Sequence, residues 1–353
     1  MKITEMIARE DFYAINELTL NRYYKSSNDE CILYIYPKLN AIVTKNPGKA
    51  VKDYIRTEYT LKSFVKQMAA NAYINLCFNI HGRLAEKKQV IHNKVSDNTL
   101  IYPCNKKIRI FDFDKNVVSV ILKEGFDSHD IQHEIEFRKK DDNPSFVPRL
   151  ITVLQNGYIE QIIDGKPLVR ITDQSELNLL KKQTYEEFRT VYKEYDKEVG
   201  SEEYLKLIVN SILEESNKKN VDGKTLKEVL DILCNQCRGI NTIPIVFSHG
   251  DLQPGNIWIE NNSRNLYIID WESWGSRSVW YDQEVLFNGL RPGRVKNYLS
   301  TCSKTGEILF VVLEDILFQI RELNSLPSDF GEKKFNQYIF DVFEWLREDN
   351  LNA

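Results

Sequence analysis

The chain has 353 residues and a formal net charge of −4, with 42 % apolar and 28 % charged side chains, the balance of an ordinary globular protein long enough for two or three domains. That charge, with no basic run carrying interleaved aromatics, argues against a nucleic-acid or anionic-membrane partner. Met1-Lys2-Ile3-Thr4-Glu5 lacks the apolar stretch of a signal peptide and even Ile308 to Phe318 is broken by Glu314 and Asp315, so no membrane span is expected and the cytoplasm is the default compartment.

In chain order, Cys31 to Tyr36 and Ala41 to Val43 read as strands. Val51, Tyr54, Ile55, Leu61, Phe64, Val65, Met68 and Ala72 mark the face of one long amphipathic helix. Residues 1–98 are set apart as an N-terminal region that packs on the neighbouring domain, shapes specificity, or serves as a small interaction domain. Next, Thr99 to Pro103, Lys107 to Phe113 and Val117 to Lys123 are strand-like, with Asp114-Lys115-Asn116 as the turn between the last two. The turn Pro103-Cys104-Asn105-Lys106-Lys107 has no glycine, so no Gly-rich phosphate cradle is present; Lys106 or Lys107 could add charge, although a solvated pair is the ordinary reading. Lys123 ends the third strand, where a lysine taken alone is ordinarily a solvated charge.

Asp127 or Ser128 can cap a helix in which Ile131 and Ile135 share a face with Glu134, while Glu136 points to the other side. Two further strands, Ile151 to Leu154 and a run from Tyr158, flank an Asn156-Gly157 turn. Beyond Gly165 the pattern turns helical. Leu177 to Tyr192, Tyr204 to Leu213, Leu226 to Cys237, Ile308 to Leu323 and Phe335 to Leu346 all carry apolar stripes that read as core. The six scattered cysteines suit a reducing compartment. Cys234-Asn235-Gln236-Cys237 has metal-pair spacing, but no second pair completes a zinc site, and it lies at a helix end where cysteines pack.

The densest chemistry is in Ser248-His249-Gly250-Asp251-Leu252-Gln253-Pro254-Gly255-Asn256-Ile257 and Tyr267-Ile268-Ile269-Asp270-Trp271-Glu272. Phosphoryl transfer needs a carboxylate to orient the attacking hydroxyl and oxygen ligands for magnesium. Asp251 sits in a Gly/Pro-punctuated loop, and Asn256 opens the strand Ile257-Trp258-Ile259. Asn261 to Asn265 turns the chain, and Leu266 to Ile269 returns as a strand ending at Asp270. A hairpin of these strands would set Asn256 and Asp270 side by side.

This pattern, H-G-D-x-x-x-x-N followed by I-D-W-E, resembles the catalytic loop and metal-binding segment of the aminoglycoside phosphotransferase and choline kinase superfamily. The resemblance implies an α+β, bilobal protein-kinase-like fold: a small antiparallel-sheet N-lobe with hinge over 99–165 and a mainly helical C-lobe over 166–353, preceded here by the additional α/β region 1–98. It implies Asp251 as catalytic base, His249 as support of the loop, and Asn256 and Asp270 as magnesium ligands. By the same likeness Asp282 anchors the loop from below, and Lys123, held by Glu134, grips the triphosphate of ATP or GTP. Main-chain groups of Gln161, Ile162 and Ile163 stand at the family's adenine-reading hinge.

The implied activity is a magnesium-dependent transfer of the nucleotide γ-phosphate to a hydroxyl of a sugar, aminoglycoside or amino alcohol such as choline. Trp271 and Trp274 suit a sugar face or a quaternary ammonium, while Trp258, between two isoleucines, reads equally well as core. Glu272 and Glu284 could add negative charge for a cationic acceptor. The alternative is a kinase-fold nucleotide-binding regulatory protein without transfer activity, which the intact Asp251, Asn256 and Asp270 set disfavours.

Overall fold

Runs such as Val117-Val118-Ser119-Val120-Ile121-Leu122 are β-branched and apolar almost throughout, the composition of strands covered on both faces. In the computed structural model, which describes residues 13–25, 29–59, 64–80, 82–140, 143–237, 239–290, 295–326 and 331–348, they build one large sheet. Helix α1 (Tyr13–Tyr23) leads into strands β1 (Cys31–Tyr36) and β2 (Ala41–Val43), helices α2 (Lys49–Glu58) and α3 (Phe64–Asn79), and strand β3 (Lys87–Ile91). Strands β4 (Thr99–Pro103), β5 (Lys107–Asp112) and β6 (Val117–Leu122) come next, then helix α4 (His129–Arg138), β7 (Leu150–Leu154), β8 (Gly157–Gln161) and β9 (Gly165–Pro167). The sheet order is β3-β1-β2-β4-β5-β6-β8-β7, with antiparallel pairing throughout.

The strands of the N-terminal region therefore extend the sheet of residues 99–161, joined where Ile42 meets Ile101. Register sorts the side chains by face, because successive residues of a strand alternate. Lys107 lies opposite Leu122 and Arg109 opposite Val120, which in turn faces Tyr158; these share one side, with α4. Ile108 opposite Ile121 belongs to the other, where Leu20 of α1 closes a core with Leu33, Ile42 and Ile101. Asn116 takes the left-handed conformation (φ 56°) in the β5–β6 turn, which asparagine tolerates.

One expectation changes. The long helix spanning Val51 to Ala72 is two helices, α2 and α3, with Leu61 outside the described residues. The interruption shifts the phase of the stripe, so Val65 and Met68 are exposed and α3 buries Ile74, Cys77 and Phe78 instead.

The chain continues as α5 (Gln174–Val191), β10 (Lys197–Gly200), α6 (Ser201–Ser216), α7 (Gly223–Gln236), β11 (Thr242–Ser248), β12 (Ile257–Glu260), β13 (Leu266–Ile268), β14 (Gly275–Ser278), α8 (Gly306–Asn324) and α9 (Glu332–Arg347). Two compact units result: Met1–Gln174 with Trp258–Ile269, and Ser175–Ile257 with Asp270–Ala353. The second is mainly helical, its core drawn from α6, α7, α8 and α9 around a small sheet in the order β10-β11-β14. Asp222 caps α7 by accepting from the Thr225 N–H at 3.2 Å. Cys237 packs in this core, as the helix-end reading expects.

Strands β12 and β13 pair in the order β13-β12-β9 and belong to the first unit, whereas both flanks of this hairpin, Asn256-Ile257 and Asp270, belong to the second. Gly165 makes that sheet possible, since a Cβ there would sit 2.2 Å from the Ile259 carbonyl oxygen. Asn261 ties the hairpin turn to Asp164, its N–H donating to the Asp164 carbonyl at 2.8 Å and its side-chain amide to the carboxylate at 3.0 Å.

Candidate active site

The loop after β11 is held by buried hydrogen bonds. Asp282 is buried, and its carboxylate accepts the backbone N–H of His249 at 2.8 Å and of Gly250 at 3.1 Å. Charged acceptors of backbone N–H groups make strong bonds, and two of them fix the chain on either side of the 249–250 peptide. Gly250 has φ +83°, and a Cβ on it would meet the Ser273 carbonyl oxygen at 2.2 Å and Arg277 Nη1 at 2.7 Å, so only glycine fits. His249 is fully buried, edge-on to Trp271 at 4.6 Å, and its Nδ1 accepts the Asp251 N–H at 3.2 Å. It contacts the loop from inside, through this bond to Asp251 and its packing on Trp271.

Asp251 remains half-buried at the end of this scaffold. Its carboxylate Oδ2 accepts from Gln253 Nε2 at 2.7 Å and Asn256 Nδ2 at 2.9 Å, and Asn256 Nδ2 also reaches the Asp251 carbonyl at 3.0 Å. The amide nitrogen of the buried Asn256 is thus committed to Asp251, and only its Oδ1 could serve a metal ion. Asp270 is partly exposed and left-handed (φ 62°, ψ 58°), an uncommon conformation for a non-glycine residue that turns the chain sharply after β13. Among the described residues no group of three or more His, Cys, Asp or Glu forms a metal cage. One carboxylate and one amide oxygen instead suit magnesium, which keeps waters and substrate oxygens in its shell.

In the first unit Glu134 is fully buried, and Lys107 Nζ stands 2.7 Å from its Oε2. Spacing along the chain pointed to Lys123; the close ion pair in the structure is that of Lys107. Tyr158 donates its hydroxyl to Glu134 Oε1 at 2.8 Å, and Arg138 Nη1 lies 3.5 Å from that oxygen. Arg138 is bound more closely to Glu160, at 2.7 Å, and donates to the Pro148 carbonyl at 2.7 Å. Burial, with the negative charge of Glu134 next in weight, pushes the Tyr158 hydroxyl well above its usual range. Lys106 is also buried and meets Asp130 at 2.6 Å. The expected solvated pair at 106–107 is therefore two internal ion pairs, because Asp130 and Glu134, one turn apart on α4, face the β4–β5 turn. Glu136 is exposed, as expected.

At the hinge, the Gln161 N–H donates to the Arg149 carbonyl at 3.1 Å and the Ile162 N–H to that of Asn116 at 3.3 Å. These two amides are spent within the sheet, so an adenine edge would be read by carbonyl groups or by Ile163. Trp258 is core, stacked with Tyr54 at 6.4 Å. Trp271 is also core, fully buried between Phe188 and Tyr192 as well as His249, so it cannot face an acceptor. Trp274 is half-buried and stacked on Phe247 at 5.6 Å. The pairing of α8 with β14 was not legible in the sequence: buried Glu314 accepts from Ser278 N–H and Oγ, each at 2.6 Å, and from the Tyr204 hydroxyl.

Residues 125–289 match the family model of choline/ethanolamine kinase. Over that segment, a little under half of its length, the chain resembles this kinase family. No curated protein matches it. Similar solved structures include Plasmodium vivax ethanolamine kinase, 16 % identical over 86 % of this chain and 95 % of that one with a TM-score of 0.45. Cryptosporidium parvum choline kinase is 16 % identical over 73 % and 91 % at 0.47, and a GDP complex of aminoglycoside 2'-phosphotransferase-IIIa is 13 % identical over 70 % and 91 % at 0.45. The matched segment contains Glu134, Gln161 to Ile163, Asp251, Asn256, Asp270 and Asp282. No helix among the described residues is long and apolar enough to cross a membrane.

Proposed function

We propose that the kinase transfers the γ-phosphate of ATP or GTP to the hydroxyl of an amino alcohol such as choline or ethanolamine, with sugars and aminoglycosides as the other acceptor classes. The observation that carries this reading is the loop itself: Asp251 is fixed by Asn256 and Gln253 on a scaffold pinned by Asp282. The family match favours the amino alcohol among the acceptors. Asp251 orients the acceptor hydroxyl and takes its proton as the bond from that oxygen to the γ-phosphorus forms and the bond to the β–γ bridging oxygen breaks, releasing ADP or GDP. Asn256 Oδ1 and the Asp270 carboxylate would hold Mg2+, which when bound neutralises phosphate charge. A buried lysine steadied by Glu134 grips the triphosphate. The half-exposed ring of Trp274 suits the cationic end of an amino alcohol, an attraction of roughly 0.5–2 kcal/mol.

The test is phosphate transfer from ATP and GTP with magnesium, read by mass spectrometry across choline, ethanolamine, sugars and aminoglycosides, with Asp251→Asn as control. A phosphorylated amino alcohol formed only by the unaltered chain supports the reading. Equal product with the control removes Asp251 from its role, and a phosphorylated sugar or aminoglycoside moves the acceptor to that class.

A further inference from the structure

We propose that Lys107, rather than Lys123, is the lysine that contacts the nucleotide phosphates, with Glu134 as its positioning residue; this rests on the kinase reading above. Lys107 opens β5 and is only 5 % exposed, so its charge is directed by neighbours rather than by water. Its Nζ lies 2.7 Å from Glu134 Oε2. Glu134 is in turn fixed from elsewhere, Oε1 receiving the Tyr158 hydroxyl at 2.8 Å. Arg138, a second cation near Glu134, is nearer to Glu160, at 2.7 Å against 3.5 Å. Glu134 is thus a stationary carboxylate closely paired with Lys107, the arrangement that aims a lysine at a phosphate.

Position supports the same residue. Lys107 closes the turn Pro103 to Lys107, its carbonyl accepting the Cys104 N–H at 2.9 Å. That turn carries no glycine, so an ammonium group supplies the charge that a glycine-rich backbone cradle would otherwise provide. A compact, strongly charged ammonium is suited to phosphate oxygens. Lys123 comes directly after β6, which ends at Leu122, and is itself buried. Its N–H donates to the Lys106 carbonyl at 3.0 Å, and the next residue, Glu124, donates its N–H to Thr19 Oγ1 of α1 at 3.0 Å.

Binding of ATP and of adenosine, measured by calorimetry with magnesium, tests this in the full chain and in Lys107→Met, Lys107→Arg, Lys123→Met and the double variant Lys107→Met/Glu134→Gln. The double variant removes both charges, so it separates phosphate contact from the cost of an unpaired buried carboxylate. The expected result is a loss of ATP affinity on the order of tenfold to a hundredfold in Lys107→Met and in the double variant, with adenosine affinity unchanged. Lys107→Arg regains part of the loss, and Lys123→Met keeps the preference for ATP. The assignment is overturned if the double variant retains that preference, if it loses ATP and adenosine equally, or if Lys123→Met alone abolishes it. An unaltered chain that binds ATP no better than adenosine would instead overturn the kinase reading on which the assignment stands.

Discussion

Asn256 donates its side-chain amide to the Asp251 carboxylate at 2.9 Å, so the proposed metal ligand and the proposed base are mechanically joined. Asp251→Asn would still accept one such bond but could not take a proton. Turnover is expected to fall about a hundredfold or more, with nucleotide affinity nearly intact. Steady-state kinetics beside nucleotide titration check this, and unchanged turnover would remove Asp251 from the chemistry.

Asp270 occupies left-handed backbone space that asparagine tolerates and alanine does not. Asp270→Asn is expected to keep the melting temperature yet abolish magnesium-dependent transfer. Asp270→Ala should lose activity and also about 1 kcal/mol of stability. Magnesium titrations of activity together with thermal melts separate the two effects; full activity in Asp270→Asn would exclude it as an essential ligand.

Asp282 accepts two backbone N–H groups in a buried setting. Asp282→Ala leaves both donors without their acceptor, at a cost on the order of 3 kcal/mol, and frees the loop that presents Asp251. Denaturant unfolding should show the loss, and turnover should fall with it. Normal turnover in a folded variant would show that the loop does not need this anchor.

Gly250→Ala combines positive φ with the clash against the Ser273 carbonyl. Strain of roughly 1–3 kcal/mol is expected, with reduced turnover because Asp251 is the next residue. A variant as stable and as active as the parent would show that the loop can relax around a Cβ.

Asp315 is buried, accepting from the Tyr338 hydroxyl at 2.7 Å and the Tyr281 hydroxyl at 3.4 Å. Burial pushes its carboxyl from 3.8 up to about 6, against the downward pull of these bonds. A carboxyl raised in the folded state binds more protons there than in the unfolded chain, so stability falls as pH rises from about 4 through about 6. Glu314 is shifted in the same direction, also by burial. Asp315→Asn should flatten the decline and raise stability above that range, as melting temperature against pH will show; an unaltered profile would assign the dependence to other groups.

The amino-acid sequence by itself determined the strands and helices that carry the site and the loop that names the chemistry. Strand positions such as Cys31–Tyr36 and Thr99–Pro103 were legible because apolar and β-branched runs depend only on near neighbours. Gly250 and Asp251 were legible because fixed spacing within one loop encodes their geometry. Asp282 was readable only through resemblance, since the bonds it accepts lie more than thirty residues back along the chain. What only the tertiary structure decided is which distant groups meet. Lys107 and Lys123 both stand at strand ends, and the packing of α4 against the sheet brought Glu134 to Lys107. Trp271 looked like a substrate-facing ring beside Asp270 until Phe188, Tyr192 and His249 enclosed it. Side-chain direction comes from pairing between strands and helices far apart in the chain, and no local pattern records that pairing.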